Sequence, residues 1–231
     1  MLTDRQRQYL DLMGIDVWVR REHQSAVETP LPAHAGSSLD TAFDDDWRAL
    51  ETRVTACTAC ELSKGRTQAV FGVGNRKASW LFIGEGPGEE EDRQGEPFVG
   101  PAGQLLNEML FALNLKREEI YIANIVKCRP PDNRNPHRDE VATCAPFLAR
   151  QIELINPDVI IALGGVAAHN LLQTDVAVGK LRGKVFKHGP AGWPLVVTYH
   201  PAYLLRSPRE KRKSWDDLQF AHNVWQQHAG H

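Results

Sequence analysis

The chain has 231 residues, of which 42% are hydrophobic and 24% charged, and its formal net charge is −2. These values are ordinary for a globular protein with one sizeable core, and no window approaches the roughly 18 apolar residues of a membrane span. The N-terminus lacks the uninterrupted apolar stretch of a secretory signal, so we expect a cytoplasmic protein. A net charge this small neither requires nor excludes a nucleic-acid partner.

The N-terminal region predicts a short peptide followed by a linker. Residues 5–21, RQRQYLDLMGIDVWVRR, are too apolar for a disordered tail and too few to bury themselves. Residues 22–46 are rich in Pro, Ala, Ser, Gly and acids, as flexible linkers are. We therefore expect a partner-binding peptide over 1–21, a flexible linker over 22–46 and a folded domain over 47–231. The alternative is that the peptide packs back on that domain.

Helical patterns and strand-like apolar runs alternate through the rest of the chain. Helices are predicted at 47–57, 102–114, 138–155, 165–172 and 208–227, and strands at 79–84, 118–126, 158–163 and 194–200. Such alternation implies right-handed crossovers and a mainly parallel sheet covered by helices on both faces. We therefore expect a three-layer α/β/α fold with a central sheet of roughly four strands.

Polar residues follow three of the predicted strands. Glu85 lies just after the first strand, Asn124 follows the apolar run EEIYIA, and His200 follows PLVVTY. Ligands on open α/β sheets bind beyond the carboxyl ends of the strands. The sequence therefore predicts a site at this edge of the sheet.

The loop at 83–98, IGEGPGEEEDRQGEPF, combines a glycine-rich turn with six carboxylates. It matches neither the Walker loop nor the dinucleotide fingerprint, and its acids would oppose a phosphate. Two interpretations are left: an acidic surface turn, or a scaffold that holds carboxylates at a reaction centre that develops positive charge. Glycosidic cleavage fits the second, because its transition state resembles an oxocarbenium ion.

Four cysteines occur with the spacing C-x2-C, then 67 residues, then C-x15-C: Cys57, Cys60, Cys128 and Cys144. Structural disulfides are rare in the cytoplasm. Four thiols that begin with a C-x2-C pair therefore favour a metal centre, either zinc or [4Fe–4S]. The spacing alone does not separate these two metals, and four unrelated buried thiols are the third alternative.

The segment 200–208, HPAYLLRSP, presents two leucines just before a basic run. Residues 206–213 hold five bases against one acid, Glu210. Exposed leucines beside such a run suit a wedge that unstacks a duplex while cations hold its backbone. The alternative is a solvated helix start with buried leucines.

Taken together, four motifs resemble the iron–sulfur uracil-DNA glycosylases, family 4 of that superfamily: GEGPGEEED (84–92), PFVGPAG (97–103), YIANIVKCRPP (121–131) and HPAYLLRSP (200–208). The likeness covers roughly residues 45–228, in order and with every motif present. It implies a monofunctional enzyme that hydrolyses the N-glycosidic bond of deoxyuridine in DNA, without a lyase step. It also implies a [4Fe–4S] cluster held by Cys57, Cys60, Cys128 and Cys144.

The resemblance assigns roles to the residues at the strand ends. Phe98 would stack on the flipped base, and Asn124 would pair with uracil O4 and N3–H. His200 would donate toward uracil O2, where negative charge gathers as the base leaves. Glu85 would stabilise the cationic sugar and orient or activate the attacking water.

Further residues would complete the pocket and the DNA surface. The resemblance places Glu91 near uracil C5, where a thymine methyl would clash, and the backbone around Gly86 along the pocket. Leu204 and Leu205 would fill the space left by the flipped nucleotide, and Arg206 would hold phosphate.

A second, shorter resemblance concerns the N-terminal peptide. YLDLMGIDVWVRR is similar to the N-terminal peptide of the psi subunit of bacterial DNA polymerase III, which attaches to the clamp loader. It implies that residues 5–21 tether the chain to the replisome. The alternative function is a clamp-loader accessory subunit built on a glycosylase fold, with catalysis weak or lost.

Overall fold

The computed structural model describes residues 38–228 of the chain. The predicted N-terminal peptide and most of the predicted linker lie outside the described residues. Helix α1 (Ser38–Thr55) begins before residue 46, where we had predicted the end of the linker. The ring of Phe43 stacks on Trp47 with centroids 6.1 Å apart, and Asp46 pairs with Arg150 at 2.8 Å. A ring contact within the helix and an ion pair to Arg150, neither of which composition reveals, therefore accompany its extension toward the N-terminus.

The remaining elements follow in chain order. The helices are α2 (Leu62–Gly65), α3 (Glu89–Gln94), α4 (Pro101–Ala112), α5 (Arg138–Ile155), α6 (Gly164–Leu172), α7 (Val178–Leu181), α8 (Pro201–Arg206) and α9 (Lys211–His228). The strands are β1 (Val73–Gly74), β2 (Trp80–Gly84), β3 (Tyr121–Asn124), β4 (Val159–Leu163), β5 (Val185–His188) and β6 (Trp193–Thr198). Short 3₁₀ turns occupy Pro131–Asn133 and Pro208–Glu210.

The strands form one six-stranded sheet in the order β1-β3-β2-β4-β6-β5. The four central strands are the ones predicted from the sequence, and each pair among them is parallel. Strands β1 and β5, which we did not predict, add an antiparallel strand at either edge. The mainly parallel three-layer α/β fold is thus confirmed, with a wider sheet than expected.

Both faces of the central sheet are covered. Every residue of β2 is buried, and its side chains alternate between two hydrophobic clusters: Leu81 and Ile83 enter one, whereas Trp80 and Phe82 enter the other. Strand β3 alternates in the same way. Parallel sheets are typically covered on both faces, so their strands consist largely of buried apolar residues. The packed sheet is a rigid support for the loops at its ends. Within residues 38–228, no helix combines the length and apolarity needed to cross a bilayer.

The carboxyl ends of the central strands meet at one edge. Gly84 of β2 is paired with Asn124 of β3, and Leu163 of β4 is paired with Thr198 of β6. Glu85 follows β2 directly, and His200 lies two residues beyond β6. The predicted convergence of these polar residues at one sheet edge is therefore observed.

Candidate active site

A cleft of about 460 Å³ opens at the carboxyl edge of the sheet. Seven of the predicted site residues line it: Glu85, Gly86, Glu91, Phe98, Asn124, His200 and Arg206. They come from loops and strand ends that are far apart in sequence. Their convergence in one concave site is the arrangement expected of a ligand pocket on an α/β sheet.

Asn124 lies at the floor of the cleft and is 2% exposed. Its backbone carbonyl accepts a hydrogen bond from Lys127 Nζ at 3.0 Å. Its side-chain Oδ1 is buried and has no hydrogen-bond partner among the described residues. Since buried polar atoms in native structures are almost always paired, this oxygen is suited to a donor that a ligand brings.

Phe98 and His200 form one wall of the cleft. Their ring centroids are 5.4 Å apart with an interplanar angle of 31°. The backbone of Phe98 has φ 55°, which is unusual for a bulky residue. His200 packs against Gly164, where φ is +88° and an added Cβ would lie 2.8 Å from the His200 Cβ. Both rings are therefore fixed by backbone geometry that most residues could not adopt.

The imidazole of His200 is held as a neutral donor. Its Nδ1 accepts a hydrogen bond from the Ala202 N–H at 3.1 Å, so the proton of the neutral ring lies on Nε2. Burial, and secondarily the positive charge of Arg206, lowers the pKa of His200 to about 4, against the opposing influence of Glu91. The ring is therefore uncharged at neutral pH and donates through Nε2.

Glu85 has a different environment from the other acids of its loop. Burial raises the pKa of its carboxyl group above the ordinary value for glutamate. None of the hydrogen bonds found within residues 38–228 involves this carboxylate, which leaves both oxygens free in the cleft. An unpaired carboxylate in a partly desolvated site is well placed to interact with a developing cation.

Glu91 also lines the cleft, but its carboxylate already accepts three backbone hydrogen bonds. It accepts hydrogen bonds from the N–H groups of Gly88 at 3.2 Å, Val99 at 2.9 Å and Gly100 at 3.0 Å. These bonds tie helix α3 to the loop that carries Phe98. The role predicted for Glu91 beside uracil C5 stays a prediction, whereas its contacts establish that it organises the loop.

Leu204 does not lie where we predicted it. It is 1% exposed and belongs to the core, so its predicted contact with DNA was wrong. The cause is the short helix α8, since successive side chains of a helix point about 100° apart. Leu205, the next residue, is 44% exposed, and Arg206 lines the cleft.

Sequence reasoning missed part of the rim. Asn133, Arg134 and Tyr203 all line the cleft. Asn133 and its neighbour Asp132 have positive φ angles of 53° and 54°. This part of the rim could have been predicted from the sequence, because Pro-Pro-Asp-Asn is typical of a turn and follows β3 at the carboxyl edge of the sheet.

The four cysteines lie together in a second place. All of them line one cavity, in which Cys128 and Cys144 are buried and Cys57 and Cys60 are partly buried. Arg66 Nη1 donates to Cys128 Sγ at 2.9 Å, and the Lys127 N–H donates to Cys144 Sγ at 3.3 Å. Neither a carboxylate nor a histidine is among the residues that line this cavity. The donor set is therefore entirely sulfur. The two hydrogen bonds favour thiolates, but burial outweighs them and raises the pKa of Cys128, and that of Cys144 to about 11.

The four thiols surround one cavity, but they are not yet arranged as a metal site. Over residues 38–228, no group of three or more His, Cys, Asp or Glu is placed to hold a metal ion. Four cysteine sulfurs are a donor set that either zinc or an iron–sulfur cluster uses. The geometry therefore does not separate the two metals.

Comparisons with known proteins agree with these observations. A family model described as the uracil DNA glycosylase superfamily matches residues 71–219. A type-4 uracil-DNA glycosylase of Thermotoga maritima is 49% identical over 160 residues, which are 67% of this chain and 81% of that protein. Those of Archaeoglobus fulgidus and Saccharolobus solfataricus are each 43% identical, over 71% and 75% of this chain and 86% and 84% of the relatives.

Gly84 should tolerate no side chain, because the cleft wall closes around it. An added Cβ would lie 2.5 Å from Asn124 Oδ1 and 2.6 Å from Phe98 Cζ. Overpacking of this kind costs about 1–3 kcal/mol, so we expect Gly84→Ala to lower Tm by several degrees, roughly 2–4 °C per kcal/mol. Differential scanning calorimetry measures the shift.

The matched control is Gly65→Ala, since an added Cβ there meets nothing within 4 Å. This variant should have an unchanged or slightly raised Tm. Equal Tm values for Gly84→Ala and wild type would contradict the tight packing of Phe98 and Asn124 around β2.

Proposed function

The chain belongs to the uracil DNA glycosylase superfamily, and we infer that it is a type-4 uracil-DNA glycosylase. It hydrolyses the N-glycosidic bond of deoxyuridine in DNA, releases uracil and leaves an abasic site, the first step of base excision repair. The observation that carries this function is the buried, unpaired amide oxygen of Asn124 beside the neutral imidazole of His200. The roles of individual residues below are our proposals.

Asn124 reads the base. Its amide offers one donor and one acceptor, which complement uracil O4 and N3–H. Cytosine presents the opposite pattern at these two positions and would leave buried polar groups unpaired, at a cost of about 1–3 kcal/mol for each. Phe98 stacks on the flipped base and excludes water from it. Selectivity for uracil over cytosine therefore comes from pairing an amide that is otherwise unpaired.

His200 stabilises the leaving base. As the bond between uracil N1 and sugar C1′ breaks, the bonding electrons move to the base and negative charge gathers on O2. The Nε2–H group of the neutral ring donates a hydrogen bond to that oxygen. A ring with a pKa of about 4 does not supply a proton at neutral pH. Uracil therefore leaves as an anion and takes its proton from solvent afterwards.

Glu85 acts on the other fragment. The sugar becomes an oxocarbenium-like cation, and the free carboxylate of Glu85 stabilises it electrostatically. A water molecule aligned by the same carboxylate adds its oxygen to C1′ and loses a proton. Arg206, at the rim of the cleft, holds a phosphate of the strand while its base lies in the pocket. Cations at the rim and an anion at the centre thus match the charges of the substrate.

The four cysteines hold an iron–sulfur cluster. The all-sulfur donor set supports a thiolate-bound metal centre, and the motif resemblance to the iron–sulfur uracil-DNA glycosylases favours [4Fe–4S] over zinc. The ligands are Cys57 and Cys60 after α1, Cys128 after β3 and Cys144 within α5. The bound cluster supplies a covalent cross-link among these segments. Arg66 and the Lys127 N–H, which donate to the sulfurs, offset part of the thiolate charge.

Two further predictions concern where the enzyme acts. We propose a cytoplasmic location, which is consistent with a DNA repair enzyme and suits thiols that must stay reduced. Attachment to the clamp loader through residues 5–21 stays a prediction from the sequence alone, because those residues are not described. It concerns where the enzyme acts, whereas the chemistry belongs to the folded domain.

A single-stranded oligonucleotide with one uracil tests the function. Anaerobically purified protein followed by alkali should break the strand at that position. Glu85→Ala and His200→Ala should each slow excision on the order of 10²-fold or more, because each removes a group that acts on developing charge. Glu89→Ala is the matched control: this acid of the same loop is exposed and pairs only with Arg129, at 3.4 Å. An uncut strand with fully loaded wild-type protein would contradict the function.

The pH dependence separates the two catalytic groups. Glu85 acts when ionised, and its pKa is raised, so kcat/KM should rise with pH through a midpoint above the ordinary glutamate value of about 4.3. His200 is already neutral above about pH 4. The profile should then stay flat to about pH 8, without the imidazole step near the usual value of about 6.5.

Steady-state kinetics in overlapping buffers measure this profile. Glu85→Gln should lose the acidic rise, whereas His200→Gln should keep its midpoint and lower the plateau. A wild-type midpoint near pH 6.5 that disappears in His200→Gln would show that the imidazole, not the carboxylate, titrates.

Metal analysis tests the cluster. The purified protein should be brown and contain about four iron atoms per chain. Cys57→Ser should lose most of the iron and the colour, because one thiolate ligand is removed. Thr143→Ser is the control, since this residue lines the same cavity and carries no thiol. A colourless wild-type protein with one zinc per chain would refute the iron–sulfur assignment.

A further inference from the structure

The burial of Leu204 leaves the proposed wedge incomplete. Helix α8 exposes Tyr203 at 36% and Leu205 at 44%, while Leu204 between them faces the core. Tyr203 also lines the active-site cleft. The Tyr203 side chain is therefore partly open to solvent at the mouth of the cleft.

Tyr203 is the outer member of a column of three contacting groups, Tyr203, Tyr199 and Arg182, in which the two rings are tilted. Its ring lies 5.0 Å from that of Tyr199 at an interplanar angle of 37°. On Tyr199 lies the Arg182 guanidinium, 5.0 Å from the ring centroid. Aromatic pairs and cation–π contacts of this kind each stabilise a fixed geometry. The outer ring is therefore supported by two further groups.

The base of the column is anchored in the fold. Arg182 Nε donates to Asp217 at 2.6 Å, and its Nη2 donates to the backbone carbonyl of Lys213. Asp217 is 2% exposed and also accepts a hydrogen bond from Thr198 at 2.7 Å. Thr198 is the last residue of β6. The column thus stands on the central sheet and on α9, so Tyr203 is held before any ligand binds.

We propose that Tyr203 is a stacking platform for the nucleobase next to the flipped uridine, supported by Tyr199 and Arg182. The proposal rests on the glycosylase function and adds a DNA-binding residue that the sequence motifs did not assign. The occupant is a DNA base because the platform is followed at once by the basic run at 206–213, which suits a phosphate backbone. Stacking on an aromatic ring is tolerant of sequence, since every base has a π-face.

The test uses the full-length, cluster-loaded protein and a single-stranded oligonucleotide. The target nucleotide is 2′-fluoro-2′-deoxyuridine, whose fluorine destabilises the sugar cation and prevents cleavage. The fluorescent base 2-aminopurine is placed on the 5′ side in one probe and on the 3′ side in another. Fluorescence anisotropy gives Kd, and the emission intensity of 2-aminopurine reports stacking.

Wild-type protein should quench 2-aminopurine on one of the two sides. Tyr203→Ala should relieve that quenching and weaken binding roughly five- to a hundredfold, as loss of one stacked base does. Tyr203→Phe should restore both signals, whereas Tyr203→Leu, which keeps apolar bulk without a π-face, should not. The Leu variant decides the matter if the Ala variant proves unstable. Phe111→Ala is the matched control, because this aromatic is 81% exposed and does not line the cleft.

Two readouts separate this proposal from the function on which it rests. If wild-type protein excises uracil while Tyr203→Leu binds and quenches like wild type, the platform is refuted and the glycosylase stands. If wild-type protein excises nothing, the function itself fails.

Discussion

The buried ammonium group of Lys127 connects the two functional parts of the molecule. The residue is 1% exposed, and its Nζ donates to the Asn124 carbonyl at 3.0 Å and to Gln151 Oε1 at 2.6 Å. Its own N–H donates to Cys144 Sγ at 3.3 Å. The side chain thus links the end of β3, which carries Asn124, to the middle of helix α5, and the backbone of the same residue contacts a proposed cluster ligand. The geometry of the pocket depends on this contact.

A charge in such a place needs compensation, since an unpaired buried charge is strongly unfavourable. Burial lowers the pKa of Lys127 to about 8, and the neighbouring Cys144 and Cys128 oppose that change. Its direct hydrogen-bond partners are neutral oxygens. Burial likewise raises the pKa of the Cys128 thiol, and raises that of Cys144 to about 11, so the cavity would supply negative charge to Lys127 only when a bound metal deprotonates the sulfurs. A cluster in this position would support base recognition through structure, because it keeps those sulfurs ionised next to the residue that holds Asn124.

The central strands of the fold could be predicted from the sequence because the apolar runs that form them are easy to recognise. Three of the four apolar runs are followed by polar residues, and parallel pairing brings the strand ends to one edge, which located Glu85, Asn124 and His200. The short antiparallel strands β1 and β5 were missed, since two to four residues carry little pattern. Leu204 was misplaced because a linear motif does not specify how a six-residue helix rotates its side chains. The burial of a side chain and the direction in which it points depend on how the helix packs, not on the spacing of residues in the motif.

Two acids of the glycine-rich loop accept hydrogen bonds from the protein's own backbone. Backbone N–H groups in such loops form concavities that bind phosphate, and here those of Gly88, Val99 and Gly100 donate to the chain's own Glu91. Asp92 accepts likewise from the N–H of Thr67 at 2.9 Å. Internal carboxylates thus occupy the donors that a phosphate would need. Both Glu85 and Glu91 line the cleft, and within residues 38–228 the Glu85 carboxylate has no hydrogen-bond partner, which supports our proposal that it faces the sugar as that becomes positive.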